Sequence, residues 1–268
     1  MNSENAFFRY LNELAEYAGI HTSELYDGCS DIYKSIHLSA NDLIQISINL
    51  DVDPILLWNK QIDLEQLRLT RAGQTVLPFA YSEVCASNIA SLKNSLDTFK
   101  KYGMYDYALK RIQMNEKTIQ TINSISVMAM TDLFRFSDNF FIPQDYMDIA
   151  TRNAAFTYDN ILRKEINTRN TGIRITQNIF ELVCHFEQNW NYKIIRSDLH
   201  SLTIETKESE LMRSTKSYRS FTTNTSNLVR FTFIKAALAK FNINTQNVTQ
   251  LSDSDNKEKK FRFSVNIH

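Results

Sequence analysis

Apolar residues recur at helical spacing from the start of the chain. Residues 5–18 place large apolar side chains three and four positions apart, which predicts an amphipathic helix that ends at Gly19. Thr22 or Ser23 can cap a short helix directly after it. The chain is therefore predicted to open with two helices joined by a tight turn.

Two further helices are predicted before the first break in the pattern. Ser39 is an N-cap candidate with Asp42 at the third position after it, and the helix that it opens runs to about residue 50. Pro54 suits the first turn of the next helix, whose apolar residues continue to Leu64. We therefore expect residues 1–67 to form a helical module.

The middle of the chain returns to the helical period after an interruption. Gly73 and Pro78 break the pattern, so residues 68–80 are predicted to be a linker, with a short strand as an alternative within it. Apolar stripes beyond the linker predict four helices, at residues 81–102, 105–114, 118–136 and 144–166.

Strand patterns are confined to the C-terminal third. Residues 172–190 indicate a turn followed by a mixed apolar element. Residues 192–206 predict a β-hairpin and residues 227–241 a helix. Residues 248–251 and 261–267 predict a second pair of strands, and in the last run apolar and polar residues alternate.

The composition supports a folded chain and removes several enzyme classes. With 268 residues, 43% of them hydrophobic, the chain can bury a sizeable core. Its five glycines are at least nine residues apart, which excludes glycine-rich phosphate loops and the G-x-S-x-G nucleophile elbow. Since no group of side chains has catalytic or metal-ligand spacing, we predict no enzyme, no catalytic residue, no metal site and no cofactor.

The cysteines and the apolar runs predict the compartment. Cys29, Cys85 and Cys184 are an odd, scattered set, which is typical of reduced thiols. The first six residues are polar, without the pattern of a secretory signal, and no apolar run approaches the roughly 20 residues of a spanning helix. We therefore expect a cytoplasmic protein with no membrane partner.

The net charge of zero is a cancellation between two parts of the chain. Residues 1–67 contain eleven acidic and three basic residues, a net charge of −8, whereas residues 68–268 contain 27 basic and 19 acidic residues, a net charge of +8. The first part would repel nucleic acid, because proteins neutralise phosphates with Lys and Arg. The division also suggests that the acidic part docks on the basic part and that release of this contact is a signal.

Two segments of the N-terminal module resemble the Xre/lambda-repressor-type helix-turn-helix family. Residues 14–25, LAEYAGIHTSEL, are similar to its L-A-x-x-A-G-I-x-x-S-x-L turn, and residues 42–57, DLIQISINLDVDPILL, to its closing L-L-x-I-A-x-x-L-x-V-x-P-x-x-L pattern. The resemblance implies a transcription regulator whose DNA-contacting residues are Thr22, Ser23, Tyr26 and Lys34.

Acidic residues in the same segment favour a different partner. Glu24, Asp27 and Asp31 lie where the resemblance places the DNA contacts, against the single base Lys34. DNA and a protein partner therefore both stay open for the module.

The C-terminal pattern resembles a sensor superfamily. Residues 190–267 give the order hairpin, connector, amphipathic helix and hairpin, with small residues inside the helix and a closing FRFSV at residues 261–265. This order is similar to the vinyl-reductase-type (4VR) and haem-NO-binding-like superfamily. The resemblance implies a helical subdomain over a curved sheet with a small apolar ligand between them. His185 is the only candidate haem ligand, and no haem motif accompanies it.

Aromatic and methionine residues of the helical part supply candidates for such a pocket, although the same residue types also build ordinary cores. The candidate pocket residues are Met128, Phe134, Tyr146, Phe156, Phe231 and Phe233.

A basic stretch supplies a candidate anion site. Arg213, Lys216 and Arg219 are three residues apart, which would align them on one helical face, and Arg230 follows. Such a set can hold a phosphate or an anionic ligand. A solvated connector is the alternative interpretation.

The predicted fold class is a mainly α N-terminal helix-turn-helix-like module plus an α+β C-terminal domain, in which a helical subdomain packs on a small antiparallel sheet. The module covers residues 1–67, the linker 68–80 and the domain 81–268, helical over 81–170 and sheet-containing over 171–268.

We expect a bacterial cytosolic regulatory protein, a homodimer, whose C-terminal domain senses a small apolar ligand and whose module regulates transcription. The alternative is a protein-interaction adaptor with an acidic helical head that does not bind DNA.

Overall fold

The computed structural model of the chain describes residues 3–29, 38–83, 87–186, 189–214, 223–243, 245–251 and 261–267. Helices dominate, and the antiparallel sheets are small, in agreement with the predicted combination of helical and α+β parts. Two compact units are formed: the first unit comprises Met1–Phe79 and Phe99–Ile122, and the second unit comprises Ala80–Thr98 and Asn123–His268. The predicted boundaries at residues 67 and 81 stay a prediction, because residues 99–122 group with the N-terminal part.

The N-terminal helices of the first unit lie close to the predicted positions. Gly19 has a φ of +65°, a left-handed conformation that glycine adopts without a Cβ clash, and it follows the first helix as predicted. Apolar side chains of these helices, including Leu11, Leu14, Ile46 and Leu57, form one core. The helices are α1 (Ser3–Ala18), α2 (Thr22–Leu25), α3 (Ala40–Leu50), α4 (Pro54–Trp58) and α5 (Leu64–Arg71).

Side-chain caps explain where α3 and α4 begin. The Asp42 N–H donates to Ser39 Oγ at 3.1 Å, and the Ser39 N–H donates to the Asp42 carboxylate at 3.0 Å, which is the predicted capping box. The carboxylate of Asp53 accepts hydrogen bonds from the N–H groups of Ile55 and Leu56 at 2.8 and 2.9 Å. These bonds satisfy N–H groups that have no partner within a helix.

The predicted linker is partly helical, and the preceding helix is shorter than predicted. α4 ends at Trp58, and Lys60 follows in the left-handed region with a φ of +55°. Asp63 then starts a new helix by accepting a hydrogen bond from the Gln66 N–H at 2.9 Å. Because α5 continues to Arg71, the break in helical structure begins later than residue 68.

Ion pairs join the caps of α3 and α4 to a basic segment of the same unit. Lys110 Nζ lies 2.6 Å from Asp51 Oδ1, and Arg111 Nη1 lies 3.3 Å from Asp53 Oδ1. Part of the charge cancellation seen in the sequence therefore takes place inside the first unit. The elements that residues 99–122 contribute are the end of α7 (Ile89–Lys101), α8 (Tyr105–Arg111) and α9 (Glu116–Thr121).

A four-stranded antiparallel sheet lies in the second unit. The strands of the chain are β1 (Ser87–Asn88), β2 (Ser124–Ile125), β3 (Trp190–Ser197), β4 (Ser201–Glu208), β5 (Thr245–Leu251) and β6 (Phe261–Ile267). The sheet has the order β3–β4–β6–β5, and β1 and β2 form a separate pair. The pairs β3–β4 and β5–β6 are those that the sequence predicts. The Asp198 N–H donates to the Ser201 carbonyl at 3.0 Å and closes the turn between β3 and β4.

Two helices of the second unit pack on the sheet. Ile179 and Phe180 of one helix and Ile234 and Leu238 of another are buried in a core shared with Leu202, Ile204 and Val265 of the strands. A π-helical turn, Tyr158–Leu162, interrupts the predicted helix over residues 144–166. The remaining helices are α6 (Phe79–Ser82), α10 (Val127–Ser137), α11 (Pro143–Thr157), α12 (Arg163–Glu165), α13 (Gly172–Phe186), α14 (Glu210–Arg213) and α15 (Thr223–Ala239).

Two elements of the second unit differ from prediction. The helix expected over residues 118–136 is broken at β2, since Ser126 takes an extended conformation and caps α10 by accepting from the Met128 N–H at 3.3 Å. The mixed element expected over residues 172–190 contains the amphipathic helix α13. Its buried residues Ile175 and Ile179 lie one turn apart, a spacing that the threonine and asparagine between them obscured.

Across the described residues, no helix has both the length and the apolar character needed to cross a membrane.

Candidate functional site

A cavity of about 250 Å³ opens in the second unit. Its wall is formed by side chains from β1, α7, α10, α11, the π-helical turn, α13, β3 and α15. Such a convergence of many elements on one space is typical of a ligand pocket. The cavity lies among the helices and the sheet of the C-terminal part, where the sequence resemblance places a ligand.

Most of the wall is apolar. Helix α13 contributes four residues from two adjacent turns, and α10, the π-helical turn and α15 add further aliphatic and aromatic groups. Leu162, Ile179 and Phe180 of this wall are nearly inaccessible to solvent. The apolar wall residues are Val127, Met130, Phe134, Ile161, Leu162, Ile179, Phe180, Leu182, Val183, Val229, Phe233 and Ile234.

Arg230 brings a positive charge to the cavity. The guanidinium carbon lies 3.3 Å from the centroid of the Trp190 ring, in a cation–π contact. Nη1 also donates to Thr206 Oγ1 at 3.3 Å, so that side chains of β3 and β4 both hold the head group of a residue on α15. Among the described residues that line the cavity, Arg230 is the only charged one.

Polar groups continue from Arg230 to the short strand β1. Asn189, which directly precedes Trp190, is buried, and its Nδ2 donates to Ser87 Oγ at 3.1 Å. Ser87, Asn88 and Ser91 line the cavity together with Trp190. The wall therefore has a polar part, built by β1, the start of α7 and β3, beside its apolar part.

The π-helical turn lies in the cavity wall through Ile161 and Leu162. Its neighbours in α11, Asn153 and Thr157, line the same space, and Asn153 Oδ1 accepts a hydrogen bond from Asn94 Nδ2 at 2.6 Å. π-Helical turns are rare and occur frequently at functional sites. Here the turn contributes two bulky aliphatic side chains to the wall of the cavity.

Two of the predicted pocket residues line the cavity and four do not. Phe134 and Phe233 belong to the wall, whereas Met128 is buried in the core away from it and Phe231 is half-buried. Phe156 is 38% exposed to solvent. The residue types alone therefore did not distinguish the wall of the cavity from the surrounding core.

Tyr146, the remaining predicted pocket residue, supports the wall from behind. Its ring packs edge-on against Phe134, with ring centroids 5.6 Å apart. Its hydroxyl lies 2.9 Å from Ser137 Oγ and donates to Asp138 Oδ1 at 3.0 Å. Burial raises the pKa of the Tyr146 phenol above its ordinary value, the bond with Ser137 opposes this shift, and Asp138 reinforces it.

The predicted anion site stays a prediction, because only part of it lies within the described residues. Arg213 is exposed at the end of α14, and Lys216 and Arg219 lie outside the described residues. Arg230 is instead a wall residue of the cavity. Its membership of the wall was missed because nothing in the local sequence indicates that Trp190 and Thr206 lie beside it.

The predicted DNA-contacting residues lie at or near the short helix α2. Thr22 and Ser23 are exposed, Tyr26 donates to Asn12 Oδ1 at 3.4 Å, and Lys34 lies outside the described residues. Glu24 is exposed beside them and accepts a hydrogen bond from the His21 N–H at 3.2 Å. This helix therefore presents one carboxylate and no basic side chain.

The wall offers no histidine or thiol as a ligand for a metal or haem iron, as far as the described lining residues extend. Nor do the described residues bring three or more His, Cys, Asp or Glu side chains together in a metal-binding group. The side chain of His185 is outside the described part of the chain. Among the described wall residues, only Met130 and Tyr192 belong to residue types that can ligate haem iron.

Comparison with known proteins gives low similarities. No protein-family model matches the chain, and no curated protein matches it. An Fe(II) unliganded H-NOX protein from K. algicida is 14% identical, with a TM-score of 0.46 over 68% of this chain and 96% of that chain. An oxygen-binding H-NOX domain related to soluble guanylate cyclases is 9% identical, with a TM-score of 0.36 over 66% of this chain and 91% of that chain. Because both TM-scores lie below 0.5, the family of this chain stays unassigned.

Proposed function

We propose that the second unit binds a small, mainly apolar molecule in its cavity and that the chain is a ligand-responsive regulatory protein. The observation that carries the proposal is the cavity itself, about 250 Å³ with a wall that is apolar apart from one polar part. An apolar cavity of roughly 150 Å³ already stays dry and binds benzene in another protein. A space of this size therefore suits a ligand with a short hydrocarbon chain or one or two rings.

A ligand in the cavity can affect the conformation of the second unit because it contacts several helices that are far apart in the sequence. It would contact α13, α15 and the π-helical turn at once. Ligand binding shifts an equilibrium between two arrangements only by its difference in affinity for them. Repacking of the π-helical turn around the ligand would supply such a difference.

A fluorescence titration tests ligand binding directly. The chain has two tryptophans, Trp58 and Trp190, so that Trp58→Phe leaves Trp190 at the cavity as the only indole. Addition of 1-octanol is expected to change the Trp190 emission in a saturable manner. A signal that stays flat or rises linearly to the solubility limit of 1-octanol would remove the basis of the proposal.

A cavity-filling variant supplies the matched control. Val183→Phe adds a ring to the wall on α13 and is expected to weaken 1-octanol binding at least tenfold while the chain stays folded. Val76→Phe makes the same change at a half-buried position of the first unit and is expected to leave 1-octanol binding unchanged. Equal effects of the two variants would argue against binding in the cavity.

The output of the protein is proposed to be transcription regulation through the N-terminal helices, as their helix-turn-helix resemblance implies. Several basic side chains of this region already have partners: Arg68 pairs with Glu65, Arg71 donates to the Leu50 carbonyl, and Lys60 lies over the Phe7 ring. A gel mobility-shift assay with genomic fragments at low and high salt tests DNA binding. A salt-sensitive shift supports it, and its absence at low salt argues against it.

An adaptor that binds protein is the second candidate, and exposed apolar residues of the first unit favour it. Ile44 and Ile48 of α3 and Ile55 and Trp58 of α4 are between 49% and 62% exposed. Neighbouring apolar side chains of this kind mark interaction surfaces. We propose a second copy of the chain as the occupant, in line with the predicted homodimer. Sedimentation of the full chain is expected to show a dimer that Ile48→Glu dissociates.

A further inference from the structure

We infer that the ligand of the cavity is a neutral carbonyl compound, such as a short-chain ketone or ester, whose oxygen accepts hydrogen bonds from Ser91 and Asn153. This inference rests on the proposed ligand-binding function and deepens it by naming the ligand class. It follows from the polar side chains that α7 and α11 contribute to a largely apolar wall.

Side-chain hydrogen bonds join α7 and α11 beside the cavity. Asn94 Nδ2 donates to Asn153 Oδ1 at 2.6 Å. Arg152 Nη2 donates to the Asn94 carbonyl at 2.7 Å and to Thr98 Oγ1 at 2.6 Å. Ser91 precedes Asn94 by about one helical turn, and it lines the cavity together with Asn153. The two wall residues therefore come from neighbouring helices that hydrogen bonds hold in place.

Both wall residues keep a donor beside the bonds that they form within the protein. The Asn153 Oδ1 accepts from Asn94, and its backbone carbonyl accepts from Thr157 Oγ1 at 2.8 Å. The Ser91 backbone carbonyl accepts from Ser95 Oγ at 3.1 Å. Within the described part of the chain, these side-chain bonds use neither Asn153 Nδ2 nor the Ser91 hydroxyl. An asparagine amide nitrogen carries two N–H donors, and a serine hydroxyl carries one O–H donor.

A neutral carbonyl oxygen matches this pair of donors. It has two lone pairs and can therefore accept one hydrogen bond from each side chain. It brings no charge into the cavity, where burial of an unpaired charge would be costly. Arg230 can therefore keep its contacts with Trp190 and Thr206 when the ligand binds. The size of the cavity, about 250 Å³, limits the hydrocarbon part to a short chain or a small ring system.

The test compares two probes of similar shape, of which only one has the oxygen. 2-Heptanone carries a C=O group where 2-methyl-1-heptene carries a C=CH2 group. Each probe is titrated into the full-length Trp58→Phe chain, and Trp190 emission is followed, with the response of free tryptophan to the same additions subtracted. The ratio of the two dissociation constants is the measured quantity, because changes that affect both probes equally cancel in it.

Variants of the two donors locate the bonds. Ser91→Ala is expected to weaken 2-heptanone binding about fivefold, which corresponds to one neutral hydrogen bond, and to leave 2-methyl-1-heptene binding within about twofold. Asn153→Leu is expected to change the ratio in the same direction, and binding of the alkene shows that the cavity of this variant is intact. Ser214→Ala removes an exposed hydroxyl elsewhere in the second unit and is expected to change neither affinity.

The outcomes separate this inference from the proposed function. A ratio that is the same in the parent chain and in both donor variants overturns the inference and leaves the cavity as a site for ligands held by apolar contacts alone. If 1-octanol binds the parent chain and 2-heptanone does not, the inference fails and the proposed function stands. If none of the three probes binds, both fail.

Discussion

The guanidinium carbon of Arg230, on α15, lies 3.3 Å from the centroid of the Trp190 ring, on β3. This stacking places a cation at the wall of an otherwise largely apolar cavity and joins a helix to the edge of the sheet. Trp190 is 5% exposed, so the contact is shielded from solvent. Cation–π contacts gain strength with desolvation, from about 0.5–1 kcal/mol at exposed sites to about 2 kcal/mol.

A double-mutant cycle measures this contact. Trp190→Leu, Arg230→Gln and the double variant are compared with the parent chain by urea denaturation, and a coupling free energy of about 1–2 kcal/mol is expected. The exposed pair Lys101 and Tyr102, with 5.3 Å between Nζ and the ring centroid, is the control and should couple by less than about 0.5 kcal/mol. Equal coupling in the two pairs would contradict a special role for Arg230 and Trp190.

Replacement of Asp53 is expected to destabilise the first unit, and Ala is expected to destabilise it more than Asn. Its carboxylate caps α4 and pairs with Arg111, and it is 3% exposed. Asp53→Asn keeps an oxygen for the cap and loses the charge, whereas Asp53→Ala loses both. We expect losses of about 1–2 kcal/mol for Asn and about 3–4 kcal/mol for Ala in the free energy of unfolding.

The control for Asp53 is an exposed carboxylate of the same unit. Glu65 pairs with Arg68 on the surface of α5, and Glu65→Gln should leave the free energy of unfolding unchanged within error. Urea denaturation followed by circular dichroism measures all three variants. If Asp53→Ala costs no more than Glu65→Gln, the cap and the ion pair do not stabilise the unit.

From the buried phenol of Tyr146 we predict that the free energy of unfolding depends on pH in the alkaline range. Burial raises its pKa in the folded chain above the unfolded value of about 10. The neutral phenol therefore contributes stability that is complete below about pH 10 and is lost as the pH rises toward the folded pKa. Tyr146→Phe is expected to cost about 1 kcal/mol near neutral pH and to make the free energy of unfolding fall less steeply above pH 10.

Urea denaturation between about pH 8 and pH 11 shows whether this dependence arises from Tyr146. Tyr107 is 53% exposed, and Tyr107→Phe is expected to leave the alkaline slope as it is in the parent chain. Parallel alkaline slopes for the parent chain and Tyr146→Phe would show that the titration of this phenol is not linked to folding.

Ser39 provides a test of the capping box. Ser39→Ala removes the acceptor for the Asp42 N–H and is expected to lower the free energy of unfolding by about 1 kcal/mol. Ser39→Gly keeps the freedom of the backbone at this position. It should lower the free energy of unfolding by only a few tenths of a kcal/mol. An alanine variant as stable as the parent would mean that α3 is held by its packing alone.

Local sequence signals determined the positions of many helices and strands. Spacing of apolar residues located α1, α3, α11 and α15, and Ser39 with Asp42 marked a helix start that the structure confirms to the residue. Alternation of apolar and polar residues located both hairpins. Such signals succeed because a helix cap or a strand face depends on residues within a few positions of each other.

Only the tertiary structure decided the site. Trp190, Thr206 and Arg230 meet through the pairing of β3 with β4 and the packing of α15, across separations of up to 40 residues. The helix α13, which supplies four wall residues, was not predicted, because polar residues interrupt its apolar stripe. A cavity is a space that surrounding elements leave unfilled, and that space depends on how all of them pack. The sequence could therefore name aromatic candidates such as Phe134 and Phe233, but only the packing shows which of the candidates face the cavity.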